Sequence, residues 1–271
     1  MNTSMTGVCG LSRKLLTVML FSATSLVWAQ ASTGPNKVYI EQIGNSNTVT
    51  IQQVGGTNNV GGIAVSTPTS VSASGITTLT PAAPSSTNYA TITGSSNTVA
   101  LTQTGNSNSA QYDMQGNNNV YTSTVTGHSN QTSLTIGDAN NASNLRNTVT
   151  ETITGDSNTV IQQLVGSDIA STTLIVGNSN QITKELKSSN GTSDIDISGN
   201  SNVLNIQQVD AAGANGHYLK QVIAGSFNSI TTQQQGTNDT TVDIRATGSN
   251  NTITVRTSSS SIVTPGTAIA R

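Results

Sequence analysis

The chain has very few of the residues that build an ordinary globular core or a charged surface. Of its 271 residues only 3% are aromatic and 8% are charged, and the formal net charge is −2. This leaves too few large apolar side chains for a conventional core. Disordered segments are usually rich in Pro and in net charge, whereas this chain has five prolines. Its Ser, Thr, Asn, Gln, Val and Ile favour β structure made by stacking.

The single cysteine, Cys9, lies in an N-terminal segment with the pattern of a secretory signal. Arg13 and Lys14 precede an apolar run from Leu15 to Trp28, which ends at Ala29-Gln30-Ala31. A basic region, a short apolar region and an A-x-A site are typical of a cleaved signal, whereas a transmembrane anchor needs about 20 apolar residues. We expect residues 1–31 to be removed, and the mature chain to be secreted without disulfides or stable membrane insertion.

Net charge argues against nucleic acid as a partner. Removing Arg13 and Lys14 from the ten basic residues leaves eight against twelve acidic residues, a net charge of −4. Surfaces that bind nucleic acid are basic, so we expect no such partner.

Internal periodicity is the strongest signal in the sequence. Glycines recur every eleven residues from Gly94 to Gly127 and from Gly155 to Gly177, and most open a Gly-x-x-Asn turn. A short alternating segment, such as Thr48 to Ile51, follows each turn and is typical of a half-buried strand. Gly and Asn tolerate the positive φ of tight turns. The pattern predicts an all-β fold, a β-solenoid of stacked two-strand coils with about 22 residues per coil and 11 per strand-turn unit.

Stacking coils about 4.8 Å apart places residue i over residue i+22, so equivalent side chains form ladders. We expect one ladder of Asn97, Asn119 and Asn141, a second of Asn108 and Asn130, and a third of Asn158, Asn180 and Asn202. An Asn amide both donates and accepts, so a buried ladder is satisfied. The predicted turn residues are Gly44, Asn47, Gly94, Asn97, Gly105, Asn108, Gly116, Asn119, Gly127, Asn130, Gly155, Asn158, Gly177, Asn180, Gly199, Asn202, Gly225, Asn228, Gly248 and Asn251. The residues predicted to face inward are Val99, Leu101, Leu134, Ile136, Val160, Leu164, Ile182, Leu204, Ile206, Ile230, Ile253 and Val255.

The repeats are interrupted twice, which divides the chain into segments. Residues 32–60 hold a first repeat, 61–93 form a Ser/Thr/Pro insertion with Pro68, Pro81 and Pro84, 94–256 form the solenoid, and 257–271 are a flexible tail. Pro cannot donate to a strand ladder, so the insertion is predicted to be a loop or linker. The second interruption, residues 210–224, is predicted to bulge from a corner as a loop.

The repeats resemble those of the curlin family, in which Gln residues flank a Gly-x-x-Asn turn at intervals of roughly 22. Gln42 to Val49, running on to Gln53, matches this pattern closely, as do Gln103 to Asn108 and Gln234 to Gly236. The resemblance covers 38–56 and, more loosely, 93–255. It implies a subunit secreted through an outer-membrane pore. Such a subunit assembles with itself, and with related subunits or a nucleator, into surface fibres for adhesion and biofilm.

The glutamines follow the family pattern only in part. Gln42, Gln53, Gln103, Gln208 and Gln234 are the residues expected in a Gln ladder. Equivalent positions elsewhere hold Met114, Val125, Ile136 and Leu164, which keep an inward core but are less typical of the family. The sequence leaves open whether this is a major subunit, a nucleator or an accessory subunit.

No constellation for catalysis, metal or cofactor binding is present in the sequence. His128 and His217 have no carboxylate or Cys at a useful spacing, and both are expected at the surface. Calcium-binding β-rolls need dense Gly and Asp, and polysaccharide-cleaving β-helices need clustered carboxylates and aromatics. We expect a structural protein and not an enzyme.

A monomeric secreted solenoid that binds ice, carbohydrate or another surface is the alternative. Thr48 with Thr50, Thr98 with Thr102, and Thr252 with Thr254 suggest outward Thr rows. Other units read Gln131, Ser133 and Thr135, or Gln181, Thr183 and Glu185, so no uniform rank is expected. A monomeric solenoid also needs caps on its end coils, and neither Pro35 with Lys37 nor the Ser-rich tail predicts one. The open ends favour a fibre.

Overall fold

The computed structural model describes residues 24–30, 34–61, 89–137, 145–186, 189–210, 217–236 and 240–257. Over these residues the chain is all-β without a helix, and every pairing between strands is parallel. The predicted β-solenoid is confirmed. Within the described residues, no helix is long and apolar enough to cross a membrane.

The strands are numbered along the chain and fall into two main sheets on opposite sides of the coil. Sheet 1 contains, in stacking order, β1 (Thr24–Gln30), β4 (Thr48–Val54), β7 (Thr98–Thr104), β9 (Val120–Thr126), β11 (Thr148–Thr154), β13 (Ala170–Val176), β15 (Thr192–Ser198), β18 (Tyr218–Ala224) and β21 (Thr241–Thr247). Its strands are seven residues long and stay in register throughout the stack.

Sheet 2 has shorter strands. Its stacking order is β2 (Lys37–Val38), β5 (Asn59–Val60), β8 (Ser109–Gln115), β10 (Gln131–Thr135), β12 (Thr159–Ile161), β14 (Gln181–Thr183), β16 (Val203–Leu204), β19 (Ser229–Gln233) and β22 (Thr252–Arg256). Beside it, β3 (Ile40–Ile43) pairs with β6 (Ala90–Thr93), and β6 pairs with β8. A separate pair is formed by β17 (Val209–Asp210) and β20 (Gln235–Gly236).

Stacked residues are 22 positions apart where the repeat is regular, as Asn158 and Asn180 are. The interval lengthens to 50, 28, 26 or 23 residues where extra chain lies between coils. The register survives because an insertion at a coil corner leaves the pairing of the strands on either side unchanged. Residues 34–61 consequently belong to the same stack as the later coils.

Alternation along the strands sends every second side chain into the coil, where two apolar clusters form the core. All twelve residues predicted to face inward are buried, from Val99 to Val255. The apolar residues found in place of Gln, namely Met114, Val125, Ile136 and Leu164, are buried as well. The predicted register is therefore correct.

Segment boundaries differ from the prediction in three places. Residues 90–93 of the expected insertion form β6, and residues 218–224 of the expected loop form β18, because both segments keep the alternation that packs against the coil below. A further interruption between Gly137 and Leu145 lengthens one interval to 28 residues. Of the expected signal segment, β1 pairs with β4, and residues 1–23 and 31 lie outside the described residues. The insertion prolines, Pro68, Pro81 and Pro84, and the tail from 258 onward also lie outside them.

Strict alternation does not hold on the side of the coil that carries sheet 2. Ile161 to Leu164 are buried in succession, and Leu164 and Val165 have positive φ, so the strand ends in a bend. Ser133, Thr183 and Glu185, which alternation predicted to be outward, are buried. A bend removes the period of two that assigned them to the outer face.

Candidate functional site: turn ladders, open ends and the outer face

Two corners of the coil carry the repeated turns. The first corner precedes each strand of sheet 1, and the second precedes each strand of sheet 2. Glycine is required because Gly177, for example, has a φ of +141°, and an added Cβ would lie 1.9 Å from the carbonyl oxygen of Gly199 in the next coil. Two residues later the φ of Ser179 is +57°, a left-handed conformation that short polar residues tolerate better than β-branched ones. The turn sequence thus follows from the close stacking of backbones.

The second corner carries one continuous asparagine ladder, described by the series Asn36, Asn58, Asn108, Asn130, Asn158, Asn180, Asn202, Asn228 and Asn251. Each backbone N–H donates to the Oδ1 of the preceding Asn over 2.9–3.0 Å. From Asn58 to Asn228, each Nδ2 donates to the carbonyl of the stacked glycine over 2.7–3.0 Å. The two ladders predicted separately from Asn108 and from Asn158 are therefore one.

The first corner carries a shorter ladder of Asn47, Asn97, Asn119 and Asn147. Asn147, and not Asn141, donates its backbone N–H to Asn119 Oδ1 over 3.0 Å, because the unpredicted interruption shifts the register by six residues. Asn141 lies outside the described residues. Beyond Asn147 the stacked positions hold Ile169, Gly191, His217 and Thr240.

The predicted turn residues divide between these corners. The first corner holds Gly44, Asn47, Gly94, Asn97, Gly116 and Asn119, and the second holds Gly105, Asn108, Gly127, Asn130, Gly155, Asn158, Gly177, Asn180, Gly199, Asn202, Gly225, Asn228, Gly248 and Asn251. The asparagines from Asn47 to Asn228 in this set are all buried.

The five glutamines do not share one ladder. Gln53 donates to Gln103 over 2.9 Å inside sheet 1, and Val125 takes the next position. Gln208 and Gln234 are buried on the opposite side and donate to backbone carbonyls at 3.2 and 3.3 Å. Gln42 lies on β3 opposite Ile92. Successive units of eleven residues lie on alternate sides of the coil, so glutamines from different units can lie on different sides.

The two histidines differ in environment. His128 is exposed, as expected, and its Nδ1 accepts from the backbone N–H of Asn106 over 3.1 Å. His217 is buried, against expectation, because it occupies the stacked position of the first ladder, where Thr240 N–H donates to its Nδ1 over 3.2 Å. Among the described residues, no group of three or more His, Cys, Asp or Glu side chains is placed to hold a metal ion.

A buried polar chain of side chains, which was not predicted, crosses the interior between the two sheets. Ser123 Oγ and Gln162 Nε2 donate to Glu151 over 2.8 and 3.0 Å, and Ser171 Oγ donates to Gln162 Oε1 over 3.1 Å. Lys184 Nζ donates to Ser171 Oγ over 2.8 Å and also reaches Thr173 and Thr172. The only signal is an acidic residue at an inward position between Val149 and Ile153.

Burial controls the protonation of the two charged members of this chain. Burial raises the pKa of Glu151, although the hydrogen bonds from Ser123 and Gln162 oppose the shift. Burial lowers the pKa of Lys184 to about 7, opposed by the carboxylates of Glu151 and Asp194. Both side chains are buried, so this chain of polar side chains affects the stability of the fold and offers no site for a substrate.

At the C-terminal end of the stack, no strand among the described residues covers the backbone edges. In sheet 1, Thr148 N–H and the carbonyl of Thr154 both point to the next coil, and residues with outward side chains share this orientation because backbone direction alternates with side-chain direction. In β21 the residues with this orientation are the alternate ones from Thr241 to Thr247. No described strand pairs with their N–H and C=O groups. A Cβ on Gly248 would meet only Asn251 Nδ2, at 3.7 Å, whereas on Gly225 it would lie 1.9 Å from the next carbonyl oxygen.

The outer face of sheet 1 carries rows of threonines on four neighbouring strands. Over β4, β7, β9 and β11, twelve of the sixteen outward positions are Thr: Thr48, Thr50, Thr98, Thr102, Thr104, Thr122, Thr124, Thr126, Thr148, Thr150, Thr152 and Thr154. We call this surface the threonine face. The rows are limited to these four strands, and Asp194 and Asp196 lie at outward positions of β15, so the whole sheet carries no uniform rank, as expected. Gln131 and Gln181 do not bear on this face, because both lie on sheet 2.

Comparison with protein-family models, with curated proteins and with solved structures gave no match.

Proposed function

We propose that this chain is a structural subunit of extracellular, curli-like amyloid fibres that serve cell adhesion and the biofilm matrix. Copies would stack end to end, with the last coil of one continuing into the first coil of the next. The secretory pattern of residues 1–31 and the curlin-like repeats support export through an outer-membrane pore. Related subunits or a nucleator would be its partners beside other copies of itself.

The open C-terminal edge is the observation that carries this proposal. Asn251 is the last member of the described ladder, and its Oδ1 accepts from no described residue, although every earlier Oδ1 in that series accepts from the next Asn. Unpaired strand edges recruit further strands. An added coil would supply an N–H to Asn251, a backbone to Gly248 and a parallel partner to β21 and β22.

The N-terminal edge fits the same scheme. β1 covers β4 at this end of sheet 1, and β1 lies within the expected signal segment. Cleavage after residue 31 would therefore expose β4 as a second open edge. We expect a chain that begins at Ser32 to polymerise with a shorter lag than the full chain.

A pair of proline substitutions tests the role of the edge. Tyr218 N–H donates to Thr240 O and Ser229 N–H donates to Asn251 O, so both N–H groups point from their own coil to the last coil. Asp243 and Thr254 have the same orientation in the last coil, and their N–H groups therefore point to the open edge. Pro at these two positions removes edge-facing donors and leaves the ladder within the chain intact. The matched control is Asp243→Ala with Thr254→Ala, which keeps both N–H groups.

Thioflavin fluorescence and electron microscopy of seeded solutions give the readout. We expect the Ala pair to form fibres as the unsubstituted chain does, and the Pro pair to remain monomeric with an unchanged circular dichroism spectrum. Added in small amounts to the unsubstituted chain, the Pro pair should stop elongation, because it attaches to a growing end and offers no edge. Fibre growth by the Pro pair at the rate of the Ala pair would show that this edge is not the contact between copies.

The threonine face favours a second candidate, the binding of a patterned surface. This face lies on the side of the stack, apart from the open edge that carries the fibre proposal.

A further inference from the structure

The threonine face is a rigid and regular two-dimensional array. Strands stack about 4.8 Å apart, and alternate residues on one strand are about 6.6 Å apart, twice the rise of about 3.3 Å per residue. Four strands stay in register across three pairings without a slip. Thr48 lies beside Thr98, Thr98 lies beside Val120, and Val120 lies beside Thr148. The β-branched Thr side chain is stiff about χ1, so each hydroxyl and methyl group has a fixed place in the array.

The same face carries no charge and no aromatic ring. The four outward positions without Thr hold Gln52, Val54, Ala100 and Val120. From β4 onward, the first outward charges on sheet 1 are Asp194 and Asp196 on β15, and the first outward ring is Tyr218 on β18. A neutral array of this kind complements a neutral lattice and would repel neither its donors nor its acceptors.

From this arrangement we infer that the threonine face binds ice. Water molecules in ice repeat at fixed distances close to the spacing of this array in both directions, and each is both a donor and an acceptor. A Thr hydroxyl is also a donor and an acceptor, so it can take the place of a lattice water while the neighbouring methyl groups pack between lattice rows. Liquid water has no such repeat, so the match discriminates for the solid.

Two other occupants fit less well. Crystalline polysaccharide is commonly held by aromatic rings that stack on sugars, and the threonine face has none. A second copy would bury too little: four strands of seven residues cover roughly 23 by 19 Å, so two such faces bury about 900 Å², below the range of about 1,200–2,000 Å² for stable pairs.

Ice binding does not depend on fibre formation. The face runs parallel to the stacking axis, so end-to-end growth leaves it open and repeats it once in every copy along the fibre. The Asp243→Pro, Thr254→Pro pair, which is designed to stay monomeric, should bind ice as the unsubstituted chain does. This variant separates the failure of one proposal from the failure of the other.

The test measures capture of the fluorescently labelled full chain into a slowly growing ice hemisphere, with ice recrystallisation as a second readout. Thr124→Tyr with Thr150→Tyr places two bulky rings in the centre of the threonine face. The control, Thr252→Tyr with Thr254→Tyr, places the same rings on exposed threonines of sheet 2. Thr150→Lys, scored in the same way, replaces the first variant if its circular dichroism spectrum differs from that of the unsubstituted chain.

We expect the unsubstituted chain and the control to enter the ice, and the face variants to be excluded to the level of an inert protein. Exclusion of the unsubstituted chain from ice would overturn the inference, as would equal capture of the face variants and the control. Retention on microcrystalline cellulose without capture by ice would assign the face to polysaccharide instead and would also overturn it.

Discussion

Truncation of one asparagine in the middle of the longer ladder tests how far the ladder stabilises the stack. Asn180 is fully buried. Its Nδ2 donates to Asn158 Oδ1 over 3.0 Å and to Gly199 O over 2.8 Å. Its Oδ1 accepts from the backbone N–H and the Nδ2 of Asn202, both over 3.0 Å. The substitution Asn180→Ala therefore removes four hydrogen bonds that join three coils.

The expected loss follows from the groups that remain. The backbone N–H of Asn202 would be buried without a partner, which costs about 1–3 kcal/mol. Asn158, Gly199 and the Asn202 amide each lose one bond and keep others or reach solvent, which adds about 1 kcal/mol in total. We expect Asn180→Ala to lower the free energy of unfolding by about 3 kcal/mol.

Two controls separate ladder bonds from general effects of substitution. Thr172→Ala, on an exposed position of the same coil, should change the free energy of unfolding by less than about 0.5 kcal/mol. Asn251→Ala at the open end removes one side-chain bond to Asn228 and should cost about 1 kcal/mol. Urea unfolding of freshly prepared monomer, followed by circular dichroism, gives all three values. Equal losses for Asn180→Ala and Thr172→Ala would mean that the buried amides contribute nothing beyond a solvated turn.

Three further predictions concern single sites. In the folded chain the pKa of Lys184 is lowered to about 7, so above that pH the unfolded chain binds more protons than the folded chain. The urea midpoint should therefore rise from pH 7 to pH 9. The same rise in a Lys184→Met variant would contradict this prediction. Gly177→Ala, with its Cβ 1.9 Å from a carbonyl oxygen, should prevent folding of the stack. Gly248→Ala meets only Asn251 Nδ2 at 3.7 Å and should cost about 1–3 kcal/mol for its backbone conformation alone, as urea titration would show. Tyr112 Oη is buried without a described partner, so thermal unfolding of Tyr112→Phe should occur at the same or a higher temperature, and a clear decrease would reveal a hydrogen bond.

The sequence was sufficient for the coil and its register because both depend on short-range rules. Gly and Asn at a spacing of eleven mark positions where backbones approach closely, and alternation then assigns Val99 or Ile230 to the interior. These signals are local, so extra chain between coils does not erase them. The burial of all the predicted inward residues follows from this.

Features that depend on the count of residues between coils could not be predicted in the same way. The interruption before Leu145 was not predicted, and it shifts the ladder position from Asn141 to Asn147. Both corners follow the same spacing of eleven residues, so the spacing alone does not distinguish one corner from the other. Treating both sheets as one series also concealed the threonine face. Glu151 and Lys184 lie on opposite sheets and 33 residues apart, so only the stacked structure brings them into one polar chain.

The mass of fibres per unit length tests the end-to-end stack most directly. After cleavage at residue 31, eight strands of sheet 1, from β4 to β21, remain and give each copy roughly 38 Å of fibre axis at about 4.8 Å per strand. The mature chain of roughly 25 kDa, 240 of the 271 residues, should then give roughly 0.6–0.7 kDa per Å in scanning transmission electron microscopy, together with a 4.8 Å axial reflection. A value near 5 kDa per Å, as expected for one chain in every 4.8 Å layer, would mean that the solenoid is lost on assembly and would contradict this account.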